Sequence, residues 1–328
     1  MSWTAYSDPE ALARERREIF ERSWHYAGHT GEVEKPGDFV ATSAGHAPVA
    51  LVRGEGGELR AFLNVCRHRG HEVVSGSGNR KTLQCPYHAW TYGLDGALRT
   101  APRSEREPGF DADGISLLPF RVETLGRLLF VNPDTGPTPL ADVLGPVPDK
   151  LGELSSLVFH RRIQYEVEAN WKVVMENYLE CYHCPVAHPG FSKEVDVDPD
   201  SYVLDAAEWT SSQYARSRNG DGRGQFHFVW PSTRINVFPG VPNLSIGTAV
   251  PLFPARTAGF FDYFFGADVT ADEAEELIAF DSQVGSEDRA LVESVQRGVG
   301  TSLLTEGRLL PESEKLIAHF QALLQSYE

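Results

Sequence analysis

The amino-acid sequence predicts an α+β protein in which a compact all-β domain precedes a mixed α+β domain. Three observations carry this. Short β-rich runs separated by Gly, Pro and Asp clusters fill the stretch from Gly37 to about Asp134. A Pro/Gly-rich segment, PDTGPTPLADVLGPVPDK, then breaks the pattern. Beyond it, strand-like runs alternate with helical ones, and a long amphipathic helix comes late.

Taken in order, the first thirty residues read as a helix with Pro9 near its start, followed by an aromatic segment in which Phe20, Trp24 and Tyr26 are available to pack. The runs FVATS, APVALVRG, LRAFLNVC and LLFVNP then read as strands. After the break, HRRIQYEVEA is strand-like and leads into a helical NWKVVMENYLECYH. Strands recur through FHFVW, TRINVFPG and LSIGTAVPL, and the late helix is ADEAEELIAFDSQVGSEDRALVESVQRGV. No internal repeat or low-complexity segment interrupts this order.

Composition excludes several classes of function. A chain of 328 residues, 41% hydrophobic and 23% charged, buries a full core. Its net charge of -16 repels nucleic acid and anionic membranes, so neither is expected as a partner, and the acidic surface reads as a solubility feature. No run of eighteen apolar residues occurs, and the start mixes acids and bases where a signal peptide needs an apolar stretch. A cytoplasmic location is therefore expected. Four cysteines in so long a chain argue against a disulfide framework and direct attention to metals.

Two clusters of ligand-type residues follow. Cys66 and His68 stand on one loop of the β-rich region, Cys85 and His88 on another. A zinc finger usually pairs its cysteines first and its histidines second, whereas here each loop carries one of each. That interleaving suits a [2Fe–2S] cluster in which one iron takes both cysteines and the other both histidines, a substitution that makes the cluster easier to reduce. His71 reads as a surface residue or a neighbour of the ligands.

The second cluster is NWKVVMENYLECYHCPVAHPGF. Glu180 and His183 share a helix face, whereas a regular helix would turn His188 away. Pro185 disfavours regular helix there, so a break can bring His188 beside His183. Two imidazoles then need one acid to complete a 2-His-1-carboxylate site with positions open for O2 and substrate. If Leu277, Val284, Leu291 and Val295 form the buried stripe of the late helix, Asp288 and Asp281 both lie on it, and iron would compensate the burial of either carboxylate. Cys181 and Cys184 read as small buried hydrophobes. Asn170 and Trp171 read as helix start and core, with Asn170 a candidate neighbour of the metal. Trp209, Phe226, Phe228, Trp230 and Phe238 are either core or a cage for a cation.

The loops CRHRGH and CPYHAW, with Gly70 and Trp90, closely resemble those of Rieske-type non-haem iron oxygenases, and SEDRALVESVQRG resembles that family's C-terminal ligand helix. The resemblance runs over nearly the whole chain in the family order. It implies an N-terminal segment over residues 1–36 that packs on the catalytic domain, a Rieske [2Fe–2S] domain over 37–140, and a helix-grip-type catalytic domain with an antiparallel sheet over 141–328. It selects Asp288 over Asp281 as the third ligand of a mononuclear Fe(II). It gives Glu180 the role of the acid that bridges this iron to the Rieske histidine of a neighbouring subunit in a homotrimeric ring.

The variant ENYLECYHC looks like the branch acting on quaternary ammonium compounds. The expected activity is thus monooxygenation by O2, with N-demethylation or C–N cleavage of a quaternary or tertiary amine. Hydroxylation or dihydroxylation of an aromatic or other ring is the alternative. A non-catalytic Rieske electron carrier and a zinc-stabilised interaction protein are the readings from other classes. No G-x-G-x-x-G follows a strand, so electrons are expected from an NAD(P)H-dependent flavin/iron–sulfur reductase or a ferredoxin.

Overall fold

The computed structural model describes residues 2–220, 222–301 and 303–327. Asp8 starts the first helix, α1 (Pro9–Glu18), by accepting a hydrogen bond from the Glu10 backbone, with Pro9 in the first turn where no amide partner is lost. By contacts the chain divides into two units, residues 20–140 and residues 1–19 with 141–328.

The first unit holds β1 (His25–His29), β2 (Asp38–Ala44), β3 (Ala47–Arg53), β4 (Leu59–Leu63), β5 (Ser77–Asn79), β6 (Thr82–Gln84), β7 (Thr91–Gly93), β8 (Leu98–Thr100), β9 (Pro119–Leu125) and β10 (Leu128–Asn132). Seven of them form a sheet in the order β1-β10-β9-β4-β3-β2-β5, and β6-β7-β8 form a second. The run APVALV (residues 47–52) is apolar throughout rather than alternating because both faces of β3 are covered. Val49 and Leu51 pack in one cluster, Ala50 and Val52 in the other, which also holds Cys66 and Cys85.

The boundary expected at residue 37 falls earlier. Residues 20–36 lie in this β unit because β1 adds to the sheet beside β10, pairing from His25 opposite Val131 to His29 opposite Leu128 with a bulge between Tyr26 and Gly28. Only the first nineteen residues lie with the second unit, where Glu15 of α1 bonds to Trp171 and Lys172.

After α2 (Leu140–Leu144) and α3 (Val147–Leu151), the second unit contains β11 (Leu157–Val167), α4 (Trp171–Tyr178), α5 (Cys184–Ala187), α6 (Phe191–Glu194), β12 (Val203–Ala206), β13 (Thr210–Arg216), β14 (Arg223–Val229), β15 (Thr233–Val237), β16 (Asn243–Phe253), β17 (Arg256–Gly266), α7 (Ala271–Val299) and α8 (Lys315–Gln325). Its antiparallel sheet runs β11-β17-β16-β15-β14-β13-β12. This sheet and the long α7 make the helix-grip-type domain the sequence implies.

Helix α7 has the bounds read from the sequence, and a capping box between Thr270 and Glu273 fixes its start. Its buried stripe differs from the expected one. Leu277 and Val284 are half-buried, but Leu291 and Val295 face outward, and Ala274, Ile278, Val292, Gln296 and Val299 are buried instead. Positions seven apart drift by about 20° per heptad on a straight helix, so a stripe read in sevens rotates off the core by Leu291. Gln296 escapes a purely apolar reading because it is polar, yet it accepts from the Asn170 amide at 2.8 Å and donates to the Tyr6 carbonyl at 3.3 Å.

Candidate metal centres and substrate cavity

In the β unit, the segment after β4 carries Cys66 and His68, and the β6–β7 hairpin carries Cys85 and His88. Each loop closes through the same pair of backbone bonds. The Cys66 amide donates to His71 O at 2.8 Å and Gly70 N to Cys66 O at 3.0 Å; the Cys85 amide donates to Trp90 O at 2.9 Å and Ala89 N to Cys85 O at 3.0 Å. Both turns need a left-handed residue, Gly70 at φ 76° and Ala89 at φ 57°. Glycine adopts that conformation freely, whereas alanine does so at a cost the surrounding bonds must offset.

The two thiols are buried and unpaired by disulfide, and burial raises the pKa of Cys85. The Tyr92 hydroxyl lies 3.2 Å from Cys66 Sγ and accepts from the Arg67 amide at 3.0 Å. His68 and His88 are exposed, with ring centres 4.6 Å apart, and His68 stacks on Trp90. The sulfur end of the site is thus enclosed and the imidazole end faces outward. Two adjacent buried thiols and two adjacent imidazoles are the donor set of a cluster with sulfur ligands on one iron and nitrogen ligands on the other.

In the second unit, α4 ends at Tyr178, earlier than the sequence suggests, and Pro185 opens the separate short helix α5. Proline is tolerated in a first turn, so here it starts a helix where the sequence reading has it break one. His183 and His188 stand at the two caps of α5. Their Nε2 atoms are 3.0 Å apart, His188 Nε2 lies 3.0 Å from Asp288 Oδ1, and His183 Nε2 lies 3.5 Å from it. Neighbouring ligands about 2.1 Å from an octahedral metal are about 3.0 Å apart, so the three donors fit one face of such an ion. Burial opposes ionisation of Asp288, but bonds to His183 and His188 hold its carboxyl down at about 2.

A carboxylate backs each imidazole. His183 Nδ1 bonds to Glu180, whose other oxygen accepts from the His183 amide at 3.2 Å; His188 Nδ1 donates to Glu287 at 2.7 Å. Bonding at Nδ1 fixes the tautomer that leaves the Nε2 lone pair free for a metal. Glu287 is absent from the sequence reading except as the residue before Asp288. Its signal was the acidic pair itself, since adjacent helix positions can place one acid at the front of a ligating ring and the next behind it.

Asp281, the alternative acid, supplies none of the three converging ligand atoms. It accepts from the Tyr263 hydroxyl at 2.7 Å, and burial pushes its carboxyl up to about 6. Asn170 caps α4, accepting from the Lys172 amide at 2.9 Å, and its side-chain amide donates to Pro254 O at 2.6 Å. Cys181 and Cys184 are buried as expected and pack with Phe191, Phe226 and Phe238, but they are joined to each other in a disulfide. Three residues of separation across a turn bring their Cα atoms to 4.9 Å, within bridging range.

His183, His188 and Asp288 lie on a cavity of about 410 Å³. Of the five aromatic residues considered for a cage, only Phe226 and Phe238 line it. Phe228 and Trp230 pack on Phe320 of α8 instead.

Residues 154–327 match the family description "Ring hydroxylating alpha subunit (catalytic domain)", and residues 23–121 match "Rieske [2Fe-2S] domain". The chain belongs to the Rieske non-haem iron oxygenases. This oxygenase is 34% identical over 355 residues to the carnitine monooxygenase oxygenase subunit of Acinetobacter baumannii, covering 100% of its own chain and 95% of that protein. It is 30% identical over 341 residues to the chloroplastic choline monooxygenase of Amaranthus tricolor, covering 98% and 76%. The crystal structure of the quaternary ammonium Rieske monooxygenase CntA with L-carnitine superposes with a TM-score of 0.89 at 33% identity, over 99% of this chain and 94% of that one.

The oxygenase is therefore an oxidoreductase that uses O2, carries a Rieske [2Fe–2S] cluster and a mononuclear iron, and receives its electrons from a reductase partner. No helix among the described residues is long and apolar enough to cross a membrane.

Proposed function

We propose that this oxygenase is a monooxygenase of quaternary or tertiary amines, with its cluster held by Cys66, His68, Cys85 and His88 and its iron by His183, His188 and Asp288. The observation that carries the reading is the convergence of three ligand atoms on the wall of a largely apolar cavity. The carnitine and choline monooxygenases among its relatives support the substrate class.

When bound, the cluster relays single electrons and the iron activates O2 for insertion into a substrate C–H bond. The chain's own residues do the rest. Ring faces of Tyr202, Phe226 and Phe238 attract the substrate's cationic nitrogen. Glu287 and Glu180 hold the two imidazoles in register. Hydroxylation of an N-methyl carbon consumes one O2, two electrons and two protons and yields water and an N–CH2OH group. Its C–N bond then breaks, releasing formaldehyde and leaving the hydroxyl proton on nitrogen.

Glu180, through its bond to His183, is the candidate link for electrons arriving from the Rieske histidine of a neighbouring subunit in a homotrimer. The inter-subunit electron transfer described for CntA supports this arrangement. The electron source in this reading is an NAD(P)H-dependent flavin/iron–sulfur reductase or a ferredoxin, and the enzyme works in the cytoplasm.

Single-turnover reaction of chemically reduced enzyme with O2, in the presence of trimethylammonium compounds or of aromatic hydrocarbons, tests the chemistry. Formaldehyde or free amine from the first set supports the proposal. Hydroxylated ring from the second set, with no turnover of the first, refutes it.

A further inference from the structure

The Cys181–Cys184 disulfide has no use in the chemistry above. It closes the turn that carries His183, between Glu180 and the start of α5. The Cys184 amide donates to Cys181 O at 3.2 Å, and the Cys184 carbonyl accepts from the His188 amide at 2.9 Å. The Glu180 carboxylate accepts from the amides of Tyr182 and His183. The bridge is thus one of the ties that hold the backbone from which the His183 ring extends.

Three features set this bond apart from a structural cross-link. A disulfide stabilises mainly by restricting the unfolded chain, and that effect is least for the shortest loops, of which a bridge between residues three apart is one. The cytoplasm in which this enzyme is proposed to work keeps thiols reduced, and disulfides there are as a rule transient. Both cysteines are buried from bulk solvent yet line the substrate cavity together with His183 and His188. Small molecules that enter or arise in that cavity reach them. O2 and electrons meet in the same cavity, and O2 that takes up two electrons and two protons without oxidising a substrate leaves as hydrogen peroxide.

We infer that Cys181 and Cys184 are a redox-active pair, closed by hydrogen peroxide and opened by a small thiol, whose closed form clasps the His183 turn and slows loss of the iron. The inference rests on the metal ligands proposed above and adds a control on them. In closing, one sulfur attacks a peroxide oxygen; an S–O bond forms, the O–O bond breaks and water leaves. The second sulfur then attacks the first; the S–S bond forms, the S–O bond breaks and a second water leaves with the remaining proton. Two thiols are oxidised and one peroxide is reduced. In opening, two external thiols give up two electrons, become a disulfide and leave one proton on each cysteine sulfur. An oxygenase short of substrate thus holds its iron harder as peroxide accumulates, which keeps that metal from meeting peroxide in solution.

The test uses the iron-loaded holoenzyme under anaerobic conditions. Protein is opened with dithiothreitol, freed of it and given one equivalent of hydrogen peroxide. Iodoacetamide in denaturant, followed by peptide mass, reads the pair, since an open pair takes up two alkyl groups and a closed one none. Open and closed protein are then held against a ferrous chelator, beside the Cys181→Ser/Cys184→Ser double variant and Asp288→Ala. The pair should open in the folded protein and close again with peroxide. Closed wild type should keep its mononuclear iron on the order of 10-fold longer than open wild type, the low end of what support behind a ligating histidine contributes. The double variant should lose iron at the open rate whether or not it has met dithiothreitol. If it does not fold, the open and closed forms of wild type make the same comparison.

A pair that dithiothreitol opens only in denaturant, or that one equivalent of peroxide leaves alkylatable, overturns the inference. So does equal iron loss from open and closed wild type. Asp288→Ala separates this failure from failure of the ligand assignment. With the ligands right it holds about two irons whether the pair is open or closed, whereas wild-type iron content in that variant overturns the ligands and the clasp together.

Discussion

Replacing Glu287 by alanine should loosen the mononuclear iron without touching any of the ligands proposed for it. The Glu287 carboxylate accepts from His188 Nδ1 at 2.7 Å, and His188 is itself only 2% exposed. Removing the acceptor strands a buried N–H, at a cost of about 1–3 kcal/mol, and frees the ring to rotate. Carboxylates placed behind ligating histidines are worth about 10- to 100-fold in metal affinity, or about 1.4–2.7 kcal/mol, so two independent arguments give the same range. The assay is anaerobic competition between the enzyme and a ferrous chelator, read as iron retained per chain. Glu287→Gln keeps a neutral acceptor and should lose less. Wild-type iron retention by a folded Glu287→Ala protein would refute the reasoning.

Three further outcomes are expected. Lys172, 1% exposed, pairs with Glu15 beneath α4, so Lys172→Met should cost about 3–5 kcal/mol and lower the thermal midpoint by on the order of 10 °C. Adding Glu15→Gln should recover much of this, as circular-dichroism melting would show. A Cβ at Gly259 would stand 2.1 Å from the Thr248 carbonyl, which is backbone and cannot swing aside. Gly259→Ala should therefore lower the denaturant midpoint, by about 1–3 kcal/mol of stability. His25 is buried and donates to Phe20 O at 2.7 Å, and burial holds its imidazole down at about 4 against an ordinary value of 6.5. The unfolded chain takes this proton first as the pH falls. The contribution of neutral His25 is thus complete above pH 6.5 and declines by about 3 kcal/mol towards pH 4. Denaturation of wild type and His25→Asn at pH 7 and pH 4.5 should show the gap between them shrinking at the lower pH.

What was legible in the sequence depended on whether the signal was local. The Cys66 and Cys85 loops, the bounds of α7 and most strands were written in short motifs, caps and runs of apolar residues. Asp288 was reached through a motif, and the stripe used to argue it was misplaced after Val284, where a heptad count no longer follows a straight helix. Features that depend on residues far apart left no such trace. The pairing of β1 with β10 drew residues 20–36 into the β unit, although locally they read as a continuation of the N-terminal segment. Glu287 and the packing of Phe228 and Trp230 under α8 became visible only once distant segments met. The Cys181–Cys184 bond was within reach of the sequence, but a count of four cysteines argued against disulfides as a framework and so masked a single local one.

The most direct test of the two-centre account is iron and acid-labile sulfide per chain on anaerobically purified enzyme, with the reduced-state paramagnetic resonance spectrum, for wild type and Asp288→Ala. The account predicts about three irons and about two sulfides in wild type, falling to about two irons with an unchanged Rieske signal in the variant. About two irons in reconstituted wild type, with no change on Asp288→Ala, would contradict it.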